Sequence, residues 1–139
     1  MPKLVRLALV VPTMAIMAVA SATVALADNG VTVSVDPNAT LTAKVEVVVT
    51  VTASCPSGAW AMDQTVTIEE AVGKAIAHGT SWSMPGILCT GASQVIPVAI
   101  LADPTGPPFK KGTAIVTARL SAFGSTSGFA TATVPVKIR

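Results

Sequence analysis

His78 is the only histidine in a chain of 139 residues, Cys55 and Cys89 are its two cysteines, and seven carboxylates complete the groups from which acid–base, nucleophilic or metal chemistry is built. A hydrolytic triad needs a nucleophile, a histidine base and a carboxylate that orients it, in any chain order. A hydrolase using His78 is therefore one reading of the chain. No G-x-S-x-G turn is present to expose a serine,, and His78 falls in phase with Ile76 and Trp82, as a structural strand histidine would. Zinc takes three or four protein ligands, more than one histidine and two pairable cysteines supply. Calcium takes six or more oxygens, and the sequence has no D-x-D-x-D run,.

The carboxylates themselves, Asp28, Asp36, Glu46, Asp63, Glu69, Glu70 and Asp103, are scattered. Glu69 and Glu70 are adjacent on a strand-like segment and so point to opposite faces, which disqualifies them as a general acid–base pair. Asp36 and Asp103 each precede proline, where an aspartate caps the local backbone. These counts predict no catalytic residue, no metal site and no cofactor. Ligand contact is left to the aromatics. Trp60 and Trp82 follow the apolar phase of their segments, which favours packing in the core; the alternative is a platform for sugars or an apolar ligand. Phe123 and Phe129 flank a turn and offer a small apolar tip, and Phe109 beside Pro107-Pro108 is expected to tuck a loop against a sheet.

The elements that position these residues read as β throughout. Leu41 to Cys55 alternates apolar and polar positions almost without break and is rich in Val and Thr, which predicts one long half-buried strand,. Val31–Val35 precedes an Asp36-Pro37-Asn38 turn. Trp60, Met62, Val66 and Ile68 share one face of a second long strand, and Val72-Gly73-Lys74 turns into a segment Ala75–Met84 with Ile76, His78, Trp82 and Met84 on one face. A short strand Ile87–Thr90 carries Cys89. Val95–Leu101 is a strand whose Pro97 points to a sheet edge, and Asp103–Pro108 is a stiff loop. Thr113–Phe123 and the segment after Gly128 place Ala114, Val116, Ala118 and Leu120, then Ala130, Ala132, Val134, Val136 and Ile138, on single faces. Seven or eight strands with frequent turns and no helix predict an immunoglobulin-like antiparallel β-sandwich, with a closed barrel as the alternative.

Before these strands lies a different kind of segment. Lys3 and Arg6 precede an apolar run from Leu7 to Val19, and Ala25-Leu26-Ala27 is an A-x-A site, the three parts of a secretory signal peptide,. The run is too short to span a bilayer core of about 30 Å. The organisation expected is a signal peptide over 1–27 and one sandwich domain over 28–139, secreted, or periplasmic where the organism has an outer membrane. Loss of Lys3 and Arg6 leaves seven basic against seven acidic residues, and a neutral chain lacks the basic footprint of nucleic-acid binding. Two cysteines in an exported chain pair, so Cys55 and Cys89 are expected to form a disulfide.

From Cys55 onward, a strand ending in cysteine, two long strands, Cys89-Thr-Gly91, an apolar strand, Phe109-Lys-Lys-Gly112 and an Ala/Val-rich strand resemble short secreted actinobacterial β-sandwich proteins of uncharacterised function. The resemblance covers Val45 to Leu120 and implies a sandwich without implying an activity. The enediyne-antibiotic apoproteins are a second comparison, as small secreted sandwiches that carry an apolar chromophore. They typically hold two disulfides, whereas this chain has cysteines for one. The expected function is a secreted, non-enzymatic module acting through protein or cell-surface contacts, the alternative being a carrier of a small apolar ligand in a cleft at one end.

Overall fold

The computed structural model describes residues 26–139, so the residues expected to form the signal peptide lie almost wholly outside it. The described chain is all-β: β1 (Leu26–Ala27), β2 (Thr32–Thr42), β3 (Glu46–Ser54), β4 (Trp60–Ala61), β5 (Val66–Val72), β6 (Ala75–Ser81), β7 (Gln94–Leu101), β8 (Gly112–Phe123) and β9 (Gly128–Ile138). No helix among the described residues is long and apolar enough to cross a membrane. The long strands form one sheet in the order β6-β5-β8-β9-β2-β3-β7, with β1 beside β9 and β4 beside β8. The sheet curls so that its halves face each other across the core, giving the sandwich-like all-β fold that the alternation requires. All pairings are antiparallel except one short parallel contact of β2 with β9 at Asn38 and Ala39.

The core follows the period of two. Val47, Val49, Val51 and Ala53 of β3, the even-numbered apolar positions of β8, and Ala130, Ala132, Val134, Val136 and Ile138 of β9 are all buried. The curl then brings the two end strands together: Gly79 of β6 bridges Ala102 just beyond β7, and the Asp103 N–H donates to the His78 carbonyl at 2.8 Å. A Cβ built on Gly79 would lie 2.3 Å from the Leu101 carbonyl oxygen. That contact is with backbone, which cannot rotate away, so only glycine permits the approach.

Several segments differ from their sequence reading. The long strand over Leu41–Cys55 is two strands, because the chain reverses at Ala43-Lys44-Val45 with positive φ at Ala43 and Lys44. A three-residue loop pairs residues of equal parity, such as Leu41 with Val47, so the alternation runs through the turn unbroken and hides it. Asp36-Pro37-Asn38 is a bulge inside β2, between the Val35–Val51 and Ala39–Val49 pairs, and not a turn between strands. The Trp60–Glu69 strand is interrupted between Ala61 and Val66. The β6 face is inverted: Ala77 and Gly79 point inward, while Ile76 and His78 point out, because the closure leaves room only for the smallest residues. Ile87–Thr90 is irregular; the Gln94 side-chain amide bonds both the N–H and the carbonyl of Leu88 in place of a neighbouring strand.

Other expectations hold. β7 is an edge strand, as Pro97 indicated, and Gly73 sits at positive φ in the two-residue turn from β5 to β6. Phe109 is buried, pinning the loop that precedes β8. Cys55 and Cys89 form a disulfide across a separation of 34 residues, which anchors the irregular connection between β6 and β7 to the end of β3.

Two outcomes test these restraints. Gly79→Ala is expected to lower stability by about 1–3 kcal/mol through overpacking against backbone, read as a lower urea midpoint at unchanged slope. Replacing both cysteines with alanine is expected to cost about 3–4 kcal/mol by the loop-closure relation; an unchanged urea midpoint would show that the bridge contributes nothing.

Candidate functional site

The inward phase of β5, β6, β8 and β9 fixes what their outer face presents. With Val66 and Ile68 inward, Thr65, Thr67 and Glu69 must point out; with Ala114 to Ala122 inward, so must Thr117, Arg119, Ser121 and Phe123. Register aligns these positions across strands. Thr80 pairs with Thr67, Thr67 with Thr117, and Thr117 with Thr133, a row of four threonines across four strands. The neighbouring row pairs Arg119 with Thr131, and the Arg119 N–H donates to the Thr65 carbonyl. The next brings Asp63, Ser121 and Phe129 together, through the Ser121 N–H to the Asp63 carbonyl and the Ser121–Phe129 pair.

Trp82 stands at the head of this face. Trp82 is 81% exposed and Trp60 63% exposed, which overturns the expectation that both pack in the core. The apolar phase misled because both lie on outward positions: Trp82 continues the outward Ile76 and His78 phase of the inverted β6, and Trp60 pairs with the outward Phe123. Trp82 is nonetheless held in place. Met84, two residues on, is fully buried and donates its N–H to the Gln64 side-chain oxygen at 3.1 Å, and the Ser81 hydroxyl donates to the Ser83 carbonyl at 3.0 Å.

Trp82 forms a wall shared by two open cavities. One, of about 410 Å³, is lined by Asp63, Thr65, Thr67, Thr80, Thr117 and Arg119. The other, of about 560 Å³, is lined by Met62, Asp63, Gln64, Thr65, Ser121 and Phe123. A third, of about 320 Å³, continues past Asp63 and Arg119 to Phe129 and Thr131. Together they make one shallow groove with Asp63 at its centre. Trp60 is not among the lining residues, so the two tryptophans do not form a joint platform; it pairs with Phe123 at the far end of the face. Asp63 accepts the Thr65 hydroxyl at 2.6 Å, and the Thr117 and Thr133 hydroxyls are 3.1 Å apart. Asp63, Arg119 and the threonine row escaped sequence reasoning, because only register brings residues from four strands together.

A second cluster lies at the closure. His78 Nε2 is 3.2 Å from Asp103 Oδ2, both partly exposed, beside a cavity of about 340 Å³ that Trp82 also borders. Asp103 accepts the Thr105 hydroxyl at 2.6 Å and the Thr105 N–H at 2.8 Å. These two bonds, with a smaller contribution from the His78 imidazole, hold its carboxyl below the usual carboxylate range. Asp103 is thus the local cap its sequence position suggested, and Asp36 does the same for the Asn38 N–H at 2.8 Å. The Thr105 hydroxyl is spent on the carboxylate and not on the imidazole. Glu70 is 4% exposed and accepts the Lys110 N–H at 2.8 Å, which ties the Phe109 loop to β5, while Glu69 points out, as their adjacency required. Among the described residues no group of three or more His, Cys, Asp or Glu side chains is placed to hold a metal ion.

No family model, curated protein or solved structure matches this chain, so the site is read from its own geometry.

Because Asp103 has a lowered pKa when folded, it contributes stability that is fully present above the usual value of 3.8 and is lost as pH falls through the folded value,. Asp103→Asn is expected to flatten the acid limb of a urea-midpoint profile; a limb as steep as the parent's would assign acid sensitivity to other carboxylates.

Proposed function

We propose that this protein is an exported, non-enzymatic module that engages a protein or cell-surface component through the outer face of the β6-β5-β8-β9 half of its sheet. One observation carries the reading: Trp82, Phe123, Phe129 and Trp60 are exposed on this one face, around a groove with a single carboxylate and a single guanidinium. Exposed large aromatics gathered on one surface mark contact sites. Export is supported by the Lys3/Arg6, apolar and Ala25-Leu26-Ala27 sequence and by the disulfide,. Cleavage after Ala27 would remove β1, which pairs with Ala130 and Thr131, and leave Asp28, whose N–H donates to the Phe129 carbonyl at 3.2 Å.

The apolar-carrier reading has less support, since the groove is open and lined by Thr, Asp and Arg. For hydrolysis, both cysteines are in the disulfide, and the Thr105 hydroxyl at the His78–Asp103 pair bonds the carboxylate.

A photo-crosslinking amino acid at Thr117 tests the proposal, with one at Ser34 on the opposite outer face as control. In protein expressed with its own leader in the native organism, Thr117 is expected to yield an envelope or secreted-protein adduct that Ser34 does not, on a chain beginning at Asp28. Equal labelling from both positions, or none from Thr117, would remove this face as the contact surface.

A further inference from the structure

The geometry points to a neutral oligosaccharide as the ligand of the Trp82 groove, a hexopyranose chain stacked on the indole and hydrogen-bonded by Asp63, Arg119 and the threonine hydroxyls. This deepens the contact-module reading and rests on it.

The chemistry of the lining selects this class. A pyranose ring has an apolar face of C–H groups and a rim of hydroxyls that both donate and accept. Trp82 supplies a broad apolar surface, and the buried Met84 and its bond to Gln64 fix the backbone two residues from it. Asp63 is acceptor-only and Arg119 is a planar donor fork. The Thr65 hydroxyl occupies one Asp63 oxygen, which leaves Oδ2 for a ligand. Among the described residues Arg119 makes no ion pair, the pair within 4.0 Å being His78–Asp103. Thr67, Thr80 and Thr117 add hydroxyls of either sense, the mixture a polyol needs.

The same lining argues against other occupants. Covering Asp63 and Arg119 with an apolar ligand would strip water from both charges without replacing its hydrogen bonds, which opposes binding. One carboxylate against one guanidinium leaves no net field to recruit a polyanion such as a nucleic acid. An added peptide strand needs a free sheet edge, whereas the groove runs across the faces of β6, β5, β8 and β9. Three inter-strand spacings of about 4.8 Å make it about 14 Å long, which suits several linked rings better than one small molecule. Phe129, at the β9 end, offers a second apolar surface along the same path.

The test is titration of the purified protein with cellohexaose, laminarihexaose and chitohexaose, with hexagalacturonate as the anionic control, followed by tryptophan fluorescence and calorimetry. At least one neutral hexasaccharide is expected to saturate with a Kd tighter than about 1 mM. Trp82→Ala and Arg119→Ala are each expected to weaken binding about tenfold or more, and Ser34→Ala, on the opposite outer face, to leave it unchanged. Both groove side chains are exposed, so the variants are expected to keep the parent urea midpoint, which separates lost contact from lost fold. The inference is overturned if no neutral probe saturates, if hexagalacturonate binds more tightly than all three, or if binding survives both groove substitutions. Thr117 crosslinks to an envelope component, combined with failure of every neutral probe, would retain the contact surface and remove the sugar.

Discussion

Where β6 meets β7, the chain passes so close to itself that the hydrogen of Gly79 fills a space a methyl group would share with the Leu101 carbonyl. The sheet is continuous from one of these strands to the other, and it encloses a core only because its two ends reach each other there. The inward positions of β6 are consequently Ala77 and Gly79, and the bulkier Ile76 and His78 are displaced to the outside. The Gly79–Ala102 bridge, the Asp103 N–H to the His78 carbonyl, and the His78–Asp103 side-chain contact all lie within a few residues of this crossing. The most reactive-looking pair in the sequence is therefore part of a seam.

Restraint elsewhere is concentrated at the ends of the sandwich. Phe109 fills one position of the core, and the loop that carries it is tied down by the buried Glu70 carboxylate. Breaking such a contact from one side would leave a charge without its partner, the expensive outcome for a buried ion. The disulfide anchors the connector between β6 and β7, which has little regular hydrogen bonding of its own. Stability is carried mainly by the interior and these ties, and the exposed side chains on the outer face of β5, β8 and β9 are free of that packing. The lining of the groove is accordingly informative: a surface shaped by solubility alone favours scattered charge, whereas the groove is lined by hydroxyls, aromatics, Asp63 and Arg119.

Legibility followed range. The faces of β8 and β9, the edge position of β7, the turn at Gly73, the backbone caps at Asp36 and Asp103 and the cysteine pairing were all readable, because each rests on local periodicity or on residue type. The hairpin at Ala43 was not, since its loop conserves parity and its positive-φ residues are Ala and Lys, neither of which signals a turn. The groove was partly legible: Trp82 was a candidate, but its exposure was misjudged, and Asp63 and Arg119 drew no notice as a pair because they are 56 positions apart.

By itself, then, the amino-acid order determined an all-β domain with a Val/Ala-rich interior, a single cystine and few groups able to do acid–base work. Alternation and composition are properties of each segment alone, so they need no knowledge of neighbours. Only the tertiary structure decided which way β6 faces, that Trp82 stands in solvent, and that four threonines, one aspartate and one arginine share a surface. Those outcomes depend on inter-strand register and on how closely two backbones can approach, distances that no single strand encodes.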